Sequence, residues 1–391
     1  MSKQISRVFI ASAVRTPVGC IQGSLKKLSA TELGTQAAKA AISKAGIKPT
    51  DVNEVYMGNV VQSNLGQAPA RQVALGAGCD LNTPSTTINK VCASGMKAVM
   101  LATQNIQLGM QNVMLAGGME SMSNAPYYIP RGATYGHQMM LDSIVKDGLT
   151  DAYDSIHMGA CAEETSVKYD ISREAQDEYA IESYKRAAAA WKSGAFKEEV
   201  IPVTIADKRK SVTVDTDEEY TKVNFDKFTS LRTVFKPKDG TITAGNASKL
   251  NDGASALVLV SEEQASNLNV KPLAEIISYA DAACAPKFFT IAPSLAVPIA
   301  LKRAGLTTDD IAKWEFNEAF SVVALANQKL LNLDPSKINV LGGAVALGHP
   351  IGSSGARIIV TLTHLLKSGE YGCASICNGG GGASAIVIKK L

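Results

Sequence analysis

The sequence predicts an α/β protein built from two copies of one domain, and three observations carry that prediction. The first is an internal repeat. Ala45-Gly46-Ile47 with Asp51-Val52 returns as Ala304-Gly305-Leu306 with Asp310-Ile311, offset by 259 positions, and Ser94-Gly95-Met96-Lys97-Ala98-Val99 parallels Ser354-Gly355-Ala356-Arg357-Ile358-Ile359, offset by 260. The second is alternation. Leu33 to Ala45 shows helical apolar spacing with Gly46 placed as a C-terminal cap, Val55 to Val61 reads as a short strand, Lys97 to Leu108 as a helix, and Val113 to Ala116 as a buried strand. The third is composition: 391 residues, 46% hydrophobic and only 19% charged, supply a large core. Alternating elements imply a mostly parallel sheet covered by helices, and two such halves packed through helices give α/β/α/β/α layers.

Residues 1–120 form the first half and 271–391 the second in this reading. Residues 121–270 hold a loop domain and the return to the first half. That stretch contains Tyr127-Tyr128-Ile129-Pro130, a helix over Arg173 to Ser193 and a charged region from Asp207 to Gly240. A long insertion of this kind commonly carries binding specificity, although plain structural cover is the competing reading.

Composition also excludes. A net charge of +3 argues against a nucleic-acid-binding surface. Seven cysteines, odd in number and without C-x-x-C spacing, fit free thiols better than a disulfide framework or a zinc site. No run of about 18 apolar residues suggests a membrane span. Residues 1–10 run into a strand at Arg7 to Ile10 without the pattern of a targeting segment, so the expected compartment is the cytoplasm. The mitochondrial matrix is the alternative if a transit segment precedes them. Lys389-Lys390-Leu391 is a poor match to a peroxisomal signal.

Chemistry concentrates at three loops. Cys92, in Asn89-Lys90-Val91-Cys92-Ala93-Ser94-Gly95, directly precedes a helical pattern, where free N–H groups and the helix dipole would lower its pKa. A buried structural cysteine is the competing reading. Among four histidines, His137 and His157 lie in the loop region and His364 inside an amphipathic helix. His349 stands between Gly348 and Pro350, just before the repeat's counterpart helix. If the halves are related by a pseudo-twofold axis, the Cys92 and His349 loops meet at the centre. The Cys377-Asn378-Gly379-Gly380-Gly381-Gly382 cluster lacks the Lys-Ser/Thr of a P-loop, and nine residues after it are too few for a dinucleotide-binding unit. Its glycines suit N–H groups turned toward an oxyanion, and Cys377 is a second candidate thiol.

Taken in order, Asn89 to Gly95, Asn317-Glu318-Ala319-Phe320, Gly348-His349-Pro350-Ile351-Gly352 and Cys377 to Gly381 resemble the four signature motifs of the thiolases, end to end. The likeness is greatest to the short-chain acetoacetyl-CoA thiolases, because His157-Met158-Gly159 resembles their acyl-pocket signature. The resemblance implies the layered thiolase fold and reversible condensation of two acetyl-CoA molecules. Cys92 would carry the acetyl group with His349 activating it, and Cys377 would act as acid/base. Asn317 would hold a water beside His349, and the N–H groups of Cys92 and Gly379 would bind the acetyl oxygen. Leu149, Met158, Phe235, Phe289 and Ala319 would shape the acyl pocket and pantetheine channel, with Ser248 and His157 facing coenzyme A. Lys222, Val223, Asn224 and Lys227 would lie near its adenosine end, with a solvated loop as the competing reading.

A potassium-binding subgroup matches at Tyr184, Ala244, Gly245, Ala247 and Val345, where Gly245 replaces an expected alanine. Tyr184 would also reach the coenzyme. That subgroup, which handles 2-methyl-branched substrates, has Phe-Pro where this chain has Phe289-Thr290. The resemblance further implies a homotetramer without a covalent cofactor. Condensing synthases of the same fold lack the Cys377-type base, and a non-catalytic coenzyme A or lipid carrier would not need this residue set.

Overall fold

A computed structural model of the protein describes residues 5–132, 135–206 and 211–391. Residues 1–4 and the start of the charged Asp207–Gly240 stretch lie outside them. The strands run in the order Ile311–Phe316, Tyr371–Asn378, Gly382–Lys390, Ala274–Ala283, Val8–Arg15, Asn251–Ser261, Val113–Ser121, Glu54–Gly58 and Ser85–Ile88. The two halves join edge to edge where Phe9 pairs with Glu275 and Ile10 with Ala274. Three core clusters show five layers. Ala30–Ala45 and Pro69–Gly76 cover the outer face of the first half, and Pro293–Ala304 that of the second. Ser94–Gln107 and Ile351–Leu365 fill the layer between.

The repeat appears in the caps as well as the layers. Ala30–Ala45 starts with a Ser29/Glu32 capping box and ends at Gly46 with φ 71°. Pro293–Ala304 has proline in its first turn and ends at Gly305 with φ 69°. Gly46 and Gly305 are thus repeat partners in the same left-handed conformation, which glycine adopts without steric cost.

One expectation needs correction. The sheet is mixed, because only the outer pairs, Ile311–Phe316 with Tyr371–Asn378 and Glu54–Gly58 with both its neighbours, are parallel. Within each half the last two strands are antiparallel neighbours with no crossover helix: Val113–Ser121 with Asn251–Ser261, and Tyr371–Asn378 with Gly382–Lys390. The helix carrying His364 is amphipathic as expected, yet every residue from Ile351 to Thr363 is buried, so its polar face too meets protein: Ser353 bonds Ser255, Ser354 bonds His349 and Thr361 bonds Glu199. A central-layer helix meets protein on all sides, so its polar side chains find protein partners instead of water. His364 Nε2 lies 2.8 Å from the Ala13 carbonyl and serves the packing.

The antiparallel pairs also locate the insertion. In the second half Gly379–Gly381 alone link the paired strands, whereas in the first residues 122–250 stand in the same place. That excursion contains the helices Met158–Lys168 and Arg173–Ser193 and packs over the second half through Phe289, Ala319, Phe320 and Cys377.

Candidate active site

The two central helices set the geometry. A Cβ on Gly95 would stand 2.9 Å from the Ala356 nitrogen, and one on Gly355 would stand 2.6 Å from the Met96 nitrogen. These repeat partners let the two N-terminal turns touch backbone to backbone, so the loops entering both helices open into one cleft. That cleft, about 310 Å³, is lined by Cys92, His349 and Gly379 together with Leu149, His157, Met158, Phe235, Ala247, Ser248, Phe289 and Ala319. Met122, Gly148, Val234, Lys249, Leu250, Phe320 and Ile351 complete the wall. Of these, Phe320 and Ile351 stood inside motifs already singled out; the others are isolated loop residues with no local signal.

Cys92 is held by a self-bonded loop. The Val91 amide donates to Asn89 Oδ1 at 3.0 Å, the Lys90 amide to Ser94 Oγ at 2.8 Å and the Ser94 amide to the Val91 carbonyl at 3.0 Å. Val91, a β-branched residue, sits at φ 47°, a strained conformation that over-determined sites retain. Lys90 bonds Asp281 and, at 2.8 Å, Ser384 Oγ, anchoring the loop on the second half. The expected lowering of the Cys92 pKa at rest is overturned. Burial pushes the thiol up to about 12, against the opposing pull of the Gly379 and Cys92 N–H groups. A resting thiol of this kind needs a base beside it.

His349 lines the same cleft in a defined tautomer. Ser354 Oγ donates its single proton to the Pro350 carbonyl at 3.0 Å and so accepts from His349 Nδ1–H at 2.6 Å. Nε2 is left with its lone pair, facing Asn317 Nδ2 at 3.4 Å. The backbone of His349 is fixed by its amide donating to Asn251 Oδ1 at 2.8 Å. Burial, with Arg357 adding to it, takes the imidazole pKa down to about 3, so the ring is neutral at rest.

Cys377 and Asn317 lie beneath the cleft surface, fully or almost fully buried. Cys377 is the penultimate residue of the Tyr371–Asn378 strand. Its thiol is pushed well above the ordinary range by burial, and the neighbouring Cys92 raises it further. Charge on one sulfur therefore opposes charge on the other, so the two ionise in turn. The loop after Cys377 turns through Gly380 at φ 83° and Gly381 at φ 82°.

Two buried carboxylates had no role in the sequence reading, although Glu318 stands inside one of the four motifs. Glu120 accepts from the amides of Val60, Val61 and Gly352 at 3.0, 3.2 and 2.9 Å and from Asn59 Nδ2 at 2.8 Å, tying the first half to the turn after His349. This is why the strand expected over Val55 to Val61 stops at Gly58. Glu318 accepts from Tyr179, Ser183, Asn339 and the Val345 amide, fixing the loop that presents Asn317 and Ala319. A lone Glu in an apolar stretch gives no hint of so many donors.

The loop residues sort into two places. His157 caps Met158–Lys168, its Nδ1 accepting from the Gly159 amide at 3.0 Å, and stacks on Phe235 at 4.6 Å. Its Nε2–H is thereby free to donate. The Ser248 amide donates to the Ala319 carbonyl at 3.0 Å, which sets its side of the cleft. Thr290 is buried and bonds Thr165 at 2.6 Å. Lys222, Val223, Asn224 and Lys227 instead line a second cavity of about 260 Å³ with Tyr184, Ala244 and Gly245, and Lys249 belongs to both cavities. Lys222 is 3.6 Å from Glu218.

The residues matched to a potassium site do not fit that ion here. Tyr184 and Val345 pack in one buried cluster. The Tyr184 hydroxyl and the Ala247 carbonyl, however, both accept from the Lys249 ammonium, at 3.1 and 2.7 Å. A potassium ion taking the same oxygens would meet a like charge at close range.

Comparison with known proteins agrees with this geometry. Residues 8–263 match the family model of the thiolase N-terminal domain and residues 270–390 that of the thiolase C-terminal domain. The mitochondrial acetyl-CoA acetyltransferase of Bos taurus is 60% identical over 389 residues, covering 99% of this chain and 92% of that protein. The human mitochondrial acetyl-CoA acetyltransferase is 59% identical over 389 residues, covering 99% of this chain and 91% of its own length. The crystal structure of the Acat5 thiolase from Ascaris suum in complex with coenzyme A superposes with a TM-score of 0.96 at 49% identity, covering 98% of this chain and 100% of that one. With the duplicated layers, the paired helix starts and both family models in agreement from end to end, the chain belongs to the thiolase family.

Proposed function

We propose that the chain is an acetyl-CoA C-acetyltransferase, condensing two acetyl-CoA molecules reversibly to acetoacetyl-CoA and coenzyme A. The observation that carries this reading is the convergence of Cys92, the Nε2 lone pair of His349 and the Gly379 loop in one small, largely apolar cleft. His349 Nε2 takes the Cys92 proton as sulfur attacks the thioester carbonyl and keeps it, while Cys377 gives its own proton to the departing coenzyme A thiolate and is left as a thiolate. The acetyl oxygen is held by the Cys92 and Gly379 N–H groups. The Cys377 thiolate then removes the α-proton of the second acetyl-CoA, while the enolate oxygen accepts from the protonated His349 Nε2–H and from a water on Asn317. Asn317 Oδ1 is buried without a protein partner among the described residues, which suits that role. The carbanion attacks acetyl-Cys92, and the leaving Cys92 sulfur takes its proton back from His349 Nε2, which restores the resting enzyme. Losing one oxyanion donor of this kind typically costs ~2.7–4 kcal/mol of barrier.

His157 Nε2 and Ser248 would meet the coenzyme's pantetheine arm, and Lys222, Asn224 and Lys227 its nucleotide end. The names of the relatives favour the mitochondrial matrix over the cytoplasm as the compartment. Exposed Tyr135, Met139 and Met140 offer an apolar surface for association with another copy, as a homotetramer would need. Steady-state rates with acetoacetyl-CoA, 2-methylacetoacetyl-CoA and a long-chain 3-ketoacyl-CoA test the reading. The small cleft predicts the first as the best substrate, and a preference for the long chain would refute it.

A further inference from the structure

We propose that Lys249 is a tethered internal cation that takes the place of the potassium ion, making this chain independent of potassium and positioning the Ser248 turn. An ammonium group and a potassium ion carry the same charge, are close in size and prefer similar oxygen ligands. Lys249 Nζ donates to the Tyr184 hydroxyl on the Arg173–Ser193 helix at 3.1 Å and to the Ala247 carbonyl at 2.7 Å, two of the five groups matched to the ion. It lies between the acyl cleft and the cavity that holds Lys222 and Lys227. The bond to the Ala247 carbonyl fixes the peptide leading to Ser248, so Lys249 is a positioning residue.

Partial neutralisation comes from Glu219, which favours its charged form against burial; burial brings its pKa down to about 8. Glu219 in turn accepts from Asn251 Nδ2 at 3.2 Å, and Asn251 holds the His349 amide. The tethered charge therefore borders the wiring of both the coenzyme wall and the base. A lysine side chain pre-attached at the site removes any dependence on free ion concentration, whereas a bound ion stabilises only in proportion to its occupancy.

The test compares potassium, sodium and choline chloride at equal ionic strength, reading both melting temperature and turnover of acyl-CoA. The wild-type protein should melt within about 1 °C and turn over equally in all three salts, because its site is already filled. Lys249→Ala should melt lower by roughly 2 °C or more. Its KM should rise about tenfold, more than kcat falls, as expected for a lost charge-assisted bond. Potassium or ethylammonium should restore both readouts, and choline should not. Lys249→Met, which fills the space without charge, should show the raised KM with no rescue. Potassium activation or stabilisation of the wild type would overturn the proposal, as would a Lys249→Ala variant that is unimpaired or is rescued by no cation. Should Lys249→Ala not fold, the wild-type salts and Lys249→Met still decide. The inference uses the proposed reaction only for KM, so the melting data stand even if that reaction is wrong.

Discussion

The two halves of this chain share one architecture and differ at two equivalent places. At the start of the central helix, the first half carries Cys92 and the second His349. At the link between the last two strands, the first half inserts residues 122–250 and the second has Gly379–Gly381. Duplication built the frame, and divergence at matched positions built the site. On the proposed reaction, one helix start supplies the nucleophile and the other its base, while one link walls the substrate and the other forms the oxyanion loop. The Gly95–Gly355 contact makes the pairing possible, because any larger residue would force the helix starts apart.

Substitutions at these matched places separate the roles. Cys92→Ala, in the first half, should lower turnover by on the order of 10^4-fold or more while leaving the melting profile two-state, since the nucleophile itself is gone. Retention of measurable condensation in a steady-state assay would break the division between halves. Cys377→Ala, in the second, should slow condensation by about 10^2–10^4-fold, the range of a lost proton shuttle. The same protein should still accumulate acetyl-enzyme in a single-turnover experiment, so equal loss of both steps would merge the two roles. Ser354→Ala should cost roughly tenfold in kcat, because one hydrogen bond of about 1.4 kcal/mol fixes the His349 tautomer. The repeat-equivalent Ser94 bonds backbone only, at Val91 and Lys90, so its alanine variant should act on melting more than on kcat.

The smallest effect is on stability against pH, and the halves should titrate in opposite senses. His349 has a folded pKa near 3, below its unfolded value, so the stability its neutral form provides is lost as pH falls from about 6.5 toward 3. Glu120 is raised to about 7, so its protonated form favours the fold below about 4.5 and that contribution disappears as pH rises through 7. Denaturant midpoints across this range should flatten on the acid side in His349→Gln and on the neutral side in Glu120→Gln. Identical profiles in the two variants would contradict the assignment.

Much of this was legible in the sequence, for physical reasons that also explain what was not. The Arg173–Ser193 helix and the Gly46 and Gly305 caps are local, and local rules placed them. The repeat put Cys92 and His349 together, because equal offsets place equal loops. The antiparallel strand pairs were hidden, since 122–250 separates two partners that lie side by side. Glu120, Glu318 and Lys249 were hidden because their meaning lies in partners from distant segments. The resting state of Cys92 was misjudged for a related reason: a helix start is visible in sequence, whereas burial of the sulfur is not.

The central claim is that Cys92 alone carries the acyl group while the second half supplies its chemistry. Brief exposure of the Cys377→Ala protein to acetyl-CoA, followed by peptide mass spectrometry of all seven cysteines, tests it directly. A single acetyl group on the peptide containing Cys92 is the predicted result. Acetyl on another cysteine, or on none, would contradict it.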